Sequence, residues 1–406
     1  MLTGFMILFI KGVPLGLSPL PWLVLTVILA VFIQSLLIVS SPKPNPWLFP
    51  FVMLFVSVGI VTMARLRPEL LIPQLRWLII GLSVFLFSIR LGNIWKQTEN
   101  WEYIWGVACL ILLSLPLLFG TEIGGSKNWL VIGSFHVQPS EFGKILLVLF
   151  LAAYLSEHRH VLSLPNNKFL FLRLPPLRFI APLLVIWGMA VLMFAVERDL
   201  GAALLFFGVA VMMTYMATGS KSAVAVSFGA FFLAAVGCYY TFGHVRERFD
   251  IWLDPWSDPN GAAYQLLQSF FAFGSGGVWG TGFAHGHPEL IPEVHTDFIF
   301  AAIAEEWGLI GSLGLMTAYA LFFYEGIRVS LALKQDSQIL LAAGTVSLFF
   351  LQTFIIIAGI TGFLPLTGIT LPFISYGGSS MVASFLLLGI LVSLSRKESR
   401  NGRSKR

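Results

Sequence analysis

ELIPEVHTDFIFAAIAEEWG, residues 289–308, is the stretch on which the fold turns. It opens polar, with Glu293, His295 and Asp297 close together, and then runs into a long apolar segment that carries Glu305 and Glu306. Carboxylates at such a depth in a bilayer are costly and mark a functional site by default. Asp297 falls at the water-facing mouth of the predicted helix. A base there can meet a soluble group and a lipid-borne one alike.

The rest of the chain has the same solvent in view. Of its 406 residues, 57% are hydrophobic and 11% charged, and the mean hydropathy is +0.85. Soluble domains carry about 25% charged residues, so the fold class is an all-α polytopic membrane protein. Six of the 25 Lys and Arg lie in the last eleven residues, so the net charge of +5 describes basic edges rather than a nucleic-acid surface. Cys109 and Cys238 lie inside apolar segments, with no CxxC and no disulfide framework. The N-terminus lacks a basic region followed by a cleavage site, and no signal peptide is expected.

A span needs roughly 20 apolar residues. Candidate spans are 22–39, 47–64, 74–90, 101–119, 141–155, 179–197, 200–217, 222–242, 297–325, 338–361 and 376–395, with 4–19 as a twelfth, interrupted by Lys11 and Pro14. Basic residues favour the cytoplasmic side. With strict alternation starting from an outward 47–64, sixteen basic residues fall inside and eight outside, so the C-terminal tail is expected in the cytoplasm. Arg65 and Arg67 break the pattern without reversing it. The unusual stretches 120–140, 197–199, 243–296 and 362–375 then all face outside.

Each stretch carries chemistry and an alternative to it. In GGSKNWLVIGSFHVQPSEFGK (124–144), Pro139-Ser140-Glu141 is a helix start. Glu141 there suits the helix dipole, and Lys144 three residues on can simply pair with it. The sharper reading is a charged pair lining an outward cavity walled by Trp129. In VERDLG (196–201), Asp199 is either an N-cap or a site residue, and Arg198 snorkels. In the 243–296 loop, Leu266, Leu267, Phe270 and Phe271 oppose Gln265 and Gln268, as in an interfacial amphipathic helix. The glycines of GSGGVWGTGFAHG (274–286) lack the Gly-Lys-Ser/Thr of a P-loop and fit a hinge equally well. His285, His287 and His295 form no metal-binding pattern. In GFLPLTGITLPFISYGGSS (362–380), Pro365, Pro372 and Gly377-Gly378 break helical structure at membrane depth. Breaks there survive where they are buried or line a cavity, with Ser375, Ser379 and Ser380 satisfying the freed backbone.

Five stretches together resemble the SEDS family of bacterial cell-wall proteins (RodA, FtsW, SpoVE): QPSEFGK at 138–144, DLGAALL at 199–205, QSFFAFGSGGVWGTG at 268–282, IPEVHTDFIFAAIAEEWGLIG at 291–311 and LPLTGITLPFISYGGSS at 364–380. The resemblance covers roughly residues 45–396. It implies a ten-helix core with both ends inside, plus one or two extra N-terminal helices in 1–44. It also implies a large extracellular loop, 243–296, before the helix starting near Asp297, and a basic cytoplasmic tail, 397–406. Two departures stand out. Residues 1–44 lie outside the resemblance, and the family's GA-x-RW pattern reads Gly125-Ser126-Lys127-Asn128-Trp129, with the basic residue moved by one. Thr367 stands where division-type members often carry Lys, which looks more like the elongation (RodA) branch.

The resemblance implies a peptidoglycan glycosyltransferase of the cytoplasmic membrane, polymerising lipid II in cell elongation, shape or division. A class B penicillin-binding protein is its implied transpeptidase partner. The 4-hydroxyl of one lipid-linked disaccharide would attack the anomeric carbon of another and release undecaprenyl pyrophosphate. A diphosphate leaves as a stable anion and needs cations or backbone donors; the hydroxyl needs a base. Asp297 matches the family's aspartate and is the expected base; the rival reading, which does not exclude it, is an N-cap of the 297–325 helix. Lys144, positioned by Glu141, is the expected clamp on the diphosphate. Trp129, Gln138, Ser140, Asp199, His295, Glu293, Ser375 and Ser379 are the remaining expected substrate contacts. A Mg²⁺ or Mn²⁺ ion entering with the diphosphate is compatible with the sequence. The alternatives are a flippase or transporter of a lipid-linked precursor, which should show paired broken helices in two repeated halves, and a non-catalytic scaffold. The scaffold gives no reason for Asp297, Glu141 and Lys144 to share one side of the membrane.

Overall fold

The computed structural model describes residues 2–11, 18–92, 94–95, 98–123, 126–133, 135–163, 167–169, 172–174 and 177–403. In chain order its first elements are α1 (Leu2–Ile10), α2 (Leu20–Val39), α3 (Leu48–Leu66), α4 (Leu71–Arg90) and α5 (Glu102–Phe119). Strands β1 (Thr121–Ile123), β2 (Ser126–Ile132) and β3 (Phe135–Val137) precede α6 (Pro139–Ser163). Then come β4 (Asn167–Phe169), β5 (Leu172–Leu174), α7 (Leu177–Glu197), α8 (Leu200–Thr218) and α9 (Lys221–Thr241). The last are α10 (Gly243–Leu253), α11 (Tyr264–Gly276), α12 (Ile299–Ala332), α13 (Asp336–Ile360) and α14 (Gly378–Arg403).

Among the described residues, ten helices are long and apolar enough to cross a membrane, and Ala181–Glu197 is a shorter apolar helix. The eleven expected spans are thus all helical. The twelfth candidate reduces to the nine-residue α1, while 12–17 lie outside the described residues. Expected as a polar stretch, 120–140 instead forms a small antiparallel sheet, with Thr121 opposite Trp129 and Leu130 opposite Val137. Pairing satisfies backbone groups that a loose loop would leave to water. These strands and the β4–β5 hairpin are the only departures from an all-α chain among the described residues.

The chain divides into two compact units. The first comprises Met1–Ile89, Asp250–Glu325 and Gln352–Arg406; the second comprises Arg90–Phe249 and Gly326–Leu351. Stacked and edge-on aromatic rings fill the core of the first unit, among them Phe55–Tyr319 at 4.0 Å and Phe373–Phe385 at 5.4 Å. Gly59 lets α3 lie against the backbone of Ile374; a Cβ there would stand 2.4 Å from the Ile374 carbonyl oxygen. At the opposite end of α3, the Asn45 amide donates to Glu325 at 2.8 Å and the Asn45 N–H donates to Ser395 at 3.0 Å.

In the second unit, α6 is packed by Phe150–Tyr154 stacking and by Gly143, which faces Leu113 and Phe206. Its α8 starts at Asp199, whose carboxylate accepts from the Ala202 N–H, and stops at left-handed Gly219. Side chains of α6, α7, α8 and α9, including Phe150, Trp187, Phe207 and Ala230, line a partly open apolar cavity of about 190 Å³.

Candidate active site

Two polar clusters contain the residues singled out above, one in each unit. In the first unit α12 begins at Ile299, and the Phe298 carbonyl accepts the Ala302 N–H. Asp297 therefore stands one residue outside the cap position, in the turn 292–298, half-buried. One wall beside it is bare backbone: a Cβ on Gly368 would lie 3.4 Å from Asp297 Oδ2, and Gly368 has φ +74°. Glycine there adopts the left-handed turn that a side chain would strain.

The broken segment between α13 and α14 holds this turn in place. Ser375 Oγ donates to the Thr296 carbonyl at 2.6 Å and accepts from the Leu371 N–H at 2.9 Å. The Tyr376 N–H donates to the His295 carbonyl at 2.9 Å, and the Gln74 amide donates to the Ser375 carbonyl at 3.3 Å. Thr370 and Ser380 hydroxyls pair at 2.7 Å, and Tyr319 OH donates to the Pro372 carbonyl. Ser375 thus satisfies freed backbone groups as expected, Ser380 bonds the Thr370 hydroxyl instead, and Ser379 is buried in the first turn of α14. Ser375 is a stitch of the frame. Thr367 is buried in the same segment.

His295 is buried, with its ring against Tyr376 and Glu293 Oε2 3.7 Å from its Nε2. Burial, aided by the charge of Arg67, holds its pKa below the ordinary histidine range despite Glu293. Glu293 itself is exposed, on a left-handed backbone at φ +52°.

The glycine stretch 274–286 is not a free hinge. α12 is broken at Gly308 (φ 67°, ψ −169°), and the loop laces into the break. Thr281 and Gly282 N–H groups donate to the Glu305 and Glu306 carbonyls at 3.0 Å. Leu309 and Ile310 N–H groups donate to Gly277 and Val278 at 2.9 and 3.2 Å. Non-helical backbone at membrane depth is tolerated only with such partners. Glu305 accepts from the His287 N–H at 2.7 Å, so it closes the loop. Glu306 lies 3.4 Å from Arg65 Nε on α3. The segment expected as an interfacial amphipathic helix is α11, with Leu266 and Leu267 buried and Phe271 exposed.

The second cluster lies at the start of α6 and α8. Lys144, 2% exposed, reaches Glu141 Oε2 at 2.5 Å. Asp199 is buried and accepts from the Ala202 N–H at 2.9 Å, Asn128 Nδ2 at 2.8 Å and Gln138 Nε2 at 3.2 Å. Burial raises its pKa even though these bonds and the charge of Arg248 oppose the shift. Asp199 is thus the N-cap of α8 and also the acceptor of two side-chain amides. Ser140 is buried and Trp129 half-buried on β2. Lys127 is exposed and donates to the Leu117 carbonyl at 3.3 Å. Sequence reasoning missed Asn128 and Arg248 here, and Arg65 and Gly368 in the first unit. Asn128 occupies the arginine position of the family pattern, which was the available signal. Among the described residues no three His, Cys, Asp or Glu side chains are grouped to hold a metal.

The family model described as FTSW_RODA_SPOVE, cell cycle protein, matches residues 45–400. "Peptidoglycan glycosyltransferase RodA" of Mycobacterium tuberculosis strain H37Rv is 36% identical over 378 residues, 90% of this chain and 81% of the relative. "Stage V sporulation protein E" of Bacillus subtilis is 34% identical over 322 residues, 78% of this chain and 84% of the relative. A solved chain from a study titled "Structural coordination of polymerization and crosslinking by a peptidoglycan synthase complex" superposes with TM-score 0.72 at 26% identity, covering 88% of this chain and 99% of that one. The Thermus thermophilus rod shape determining protein RodA shares the fold at TM-score 0.64 and 24% identity, covering 88% and 98%. The chain belongs to the FtsW/RodA/SpoVE family of cell cycle proteins, the SEDS family its motifs resemble.

Proposed function

We propose that the chain is a multi-pass peptidoglycan glycosyltransferase of the bacterial cytoplasmic membrane, polymerising lipid II at the outer face. The carrying observation is Asp297: a half-buried carboxylate on a turn stitched through Ser375 and Tyr376 to a buried frame, with the backbone of Gly368 beside its Oδ2. A base works when it is held within hydrogen-bond reach of the proton it takes. Asp297 accepts the proton of the attacking 4-hydroxyl, the hydroxyl oxygen bonds to the anomeric carbon, and the bond to undecaprenyl pyrophosphate breaks. The departing diphosphate carries its own charge and needs no proton. Lys144, held by Glu141, steadies that charge, and the Asp199–Asn128–Gln138 cluster shapes the acceptor or donor sugar. A Mg²⁺ or Mn²⁺ ion would ride on the diphosphate oxygens with at most one or two carboxylates of the chain.

The relatives' names support the reaction, and the synthase-complex title supports a transpeptidase of the class B penicillin-binding type as partner. Thr367 favours the elongation branch. The basic tail lies on the cytoplasmic side under this reading. A flippase would show one broken element per half; the break at Gly308 and the segment 361–377 both belong to the first unit.

The test gives purified protein lipid II in detergent, with and without the transpeptidase. Glycan polymer is expected from the parent. Asp297→Asn should lower the rate by about 10²–10⁴, the usual size of a general-base contribution, with thermal stability retained. Polymer formed at the parental rate by a folded Asp297→Asn variant removes Asp297 as base. Lipid transfer across vesicles without polymer favours the flippase.

A further inference from the structure

Two anomalies of the sequence explain each other. Arg65 is a cation at the end of α3 where the charge pattern disfavours one, and Glu306 is a carboxylate at membrane depth. The structure brings them together, with Arg65 Nε 3.4 Å from Glu306 Oε1; the two side chains are 17% and 4% exposed. The same guanidinium donates through its NH2 group to the Gly286 carbonyl at 3.1 Å and to Glu289 Oε2 at 3.3 Å. A planar guanidinium with five donors serves several acceptors at fixed angles, which an ammonium does not.

Towards Glu306 the contact is an ion pair without a hydrogen bond, and the partners are placed in a telling way. Glu289 and Glu306 bracket the segment that carries Asp297 near its middle. One cation therefore ties both ends of that segment. Glu305 repeats the closure through the His287 N–H. The close backbone fit of the glycine loop seals it: a Cβ on Gly280 would lie 2.3 Å from the Glu306 carbonyl oxygen. Holding the ends of a loop together removes conformations the loop would otherwise sample. The helix that supplies Arg65 also lies, at Gly59, against Ile374, beside the Ser375 that bonds Thr296. The N-terminal addition reaches the same loop, since Lys11 is hydrogen-bonded to His285.

We propose that Arg65 is a positioning residue: with Glu306, Glu289 and the Gly286 carbonyl it forms a latch that closes the segment 289–306 and sets where Asp297 stands. It touches no reacting atom, and its effect on catalysis rests on the glycosyltransferase reading above.

Two readouts separate the latch from that reading. The first is backbone hydrogen exchange of the full chain in detergent, which needs no activity. Arg65→Gln is expected to speed exchange in 293–298 by at least ten-fold and leave α14 unchanged. Glu289→Gln, which removes one half-exposed arm only, is expected to give a smaller increase confined to 286–298. The second is polymerisation of lipid II. Arg65→Gln should lower kcat by ten-fold or more with KM changed less than two-fold, and Arg65→Lys should recover only part of the loss. Unchanged exchange in 293–298 in both variants overturns the latch. So does equal acceleration in α14, which would make Arg65 a general stability residue. If the parent forms no polymer while the exchange pattern appears as expected, the latch stands and the glycosyltransferase reading falls.

Discussion

Gly308→Ala tests whether the lacing of the glycine loop into α12 holds the first unit together. Gly308 has φ 67° and ψ −169°, a region almost exclusive to glycine, and an L-residue there costs about 1–3 kcal/mol. The new Cβ would lie 2.2 Å from the Gly280 nitrogen, 2.6 Å from the Val278 oxygen and 2.7 Å from the Trp279 carbonyl carbon. All three are backbone atoms, so no rotamer change relieves them and the loop must retreat. That retreat endangers the Leu309-to-Gly277 and Ile310-to-Val278 hydrogen bonds, each about 1 kcal/mol net. The sum is about 3–5 kcal/mol. Gly314→Ala in the same helix is the control: no atom beyond the helix itself and its chain neighbours lies within 4 Å of its Cβ position, and alanine there should stabilise by up to about 1 kcal/mol. Thermal unfolding of both variants in one detergent measures the difference. A Gly308→Ala protein as stable as the parent would refute the claim that this backbone conformation and its loop contacts are required.

Two further outcomes follow from the second unit. Lys144→Met strands the buried Glu141 carboxylate and should destabilise by about 3–5 kcal/mol, whereas Lys144→Met with Glu141→Gln should return to within about 1 kcal/mol of the parent. The double variant should still fail to polymerise, and a polymerising one would leave the pair a purely structural role. Asp199→Ala loses its cap, about 1 kcal/mol, and strands the Asn128 and Gln138 donors. Asp199→Asn keeps a cap and removes a titrating group. Burial raises the folded pKa of Asp199, so its contribution is greatest below the unfolded carboxylate pKa near 4 and falls as pH rises through the folded value. The stability of the parent relative to Asp199→Asn should therefore decline as pH increases above about 4. A flat or rising difference in denaturation experiments across that window would show that burial does not dominate.

The apolar runs alone located eleven apolar helices, ten of them long enough to cross a membrane, because a span must satisfy its own backbone and its length follows from bilayer thickness. Local chemistry was equally legible at the helix starts: Asp199 caps α8, Glu141 sits in the first turn of α6, and Lys144 pairs with it. Those contacts span three residues of chain, so spacing alone predicts them. The breaks at 362–377 were visible as Pro and Gly at membrane depth.

What the sequence could not settle depends on contacts between residues far apart in the chain. Arg65 and Glu306 each look like a misplaced charge until α3 and α12 lie side by side. The glycines of 274–286 read as a hinge because their partners, the carbonyls freed at Gly308, come from a different element. The role of Gly368 depends on Asp297 arriving beside it from 71 residues earlier. Composition and local spacing thus determined the membrane class and the spans, and the family resemblance singled out the candidate base. Tertiary packing alone decided how that base is held, because only packing brings a distant donor within hydrogen-bonding range of a given acceptor.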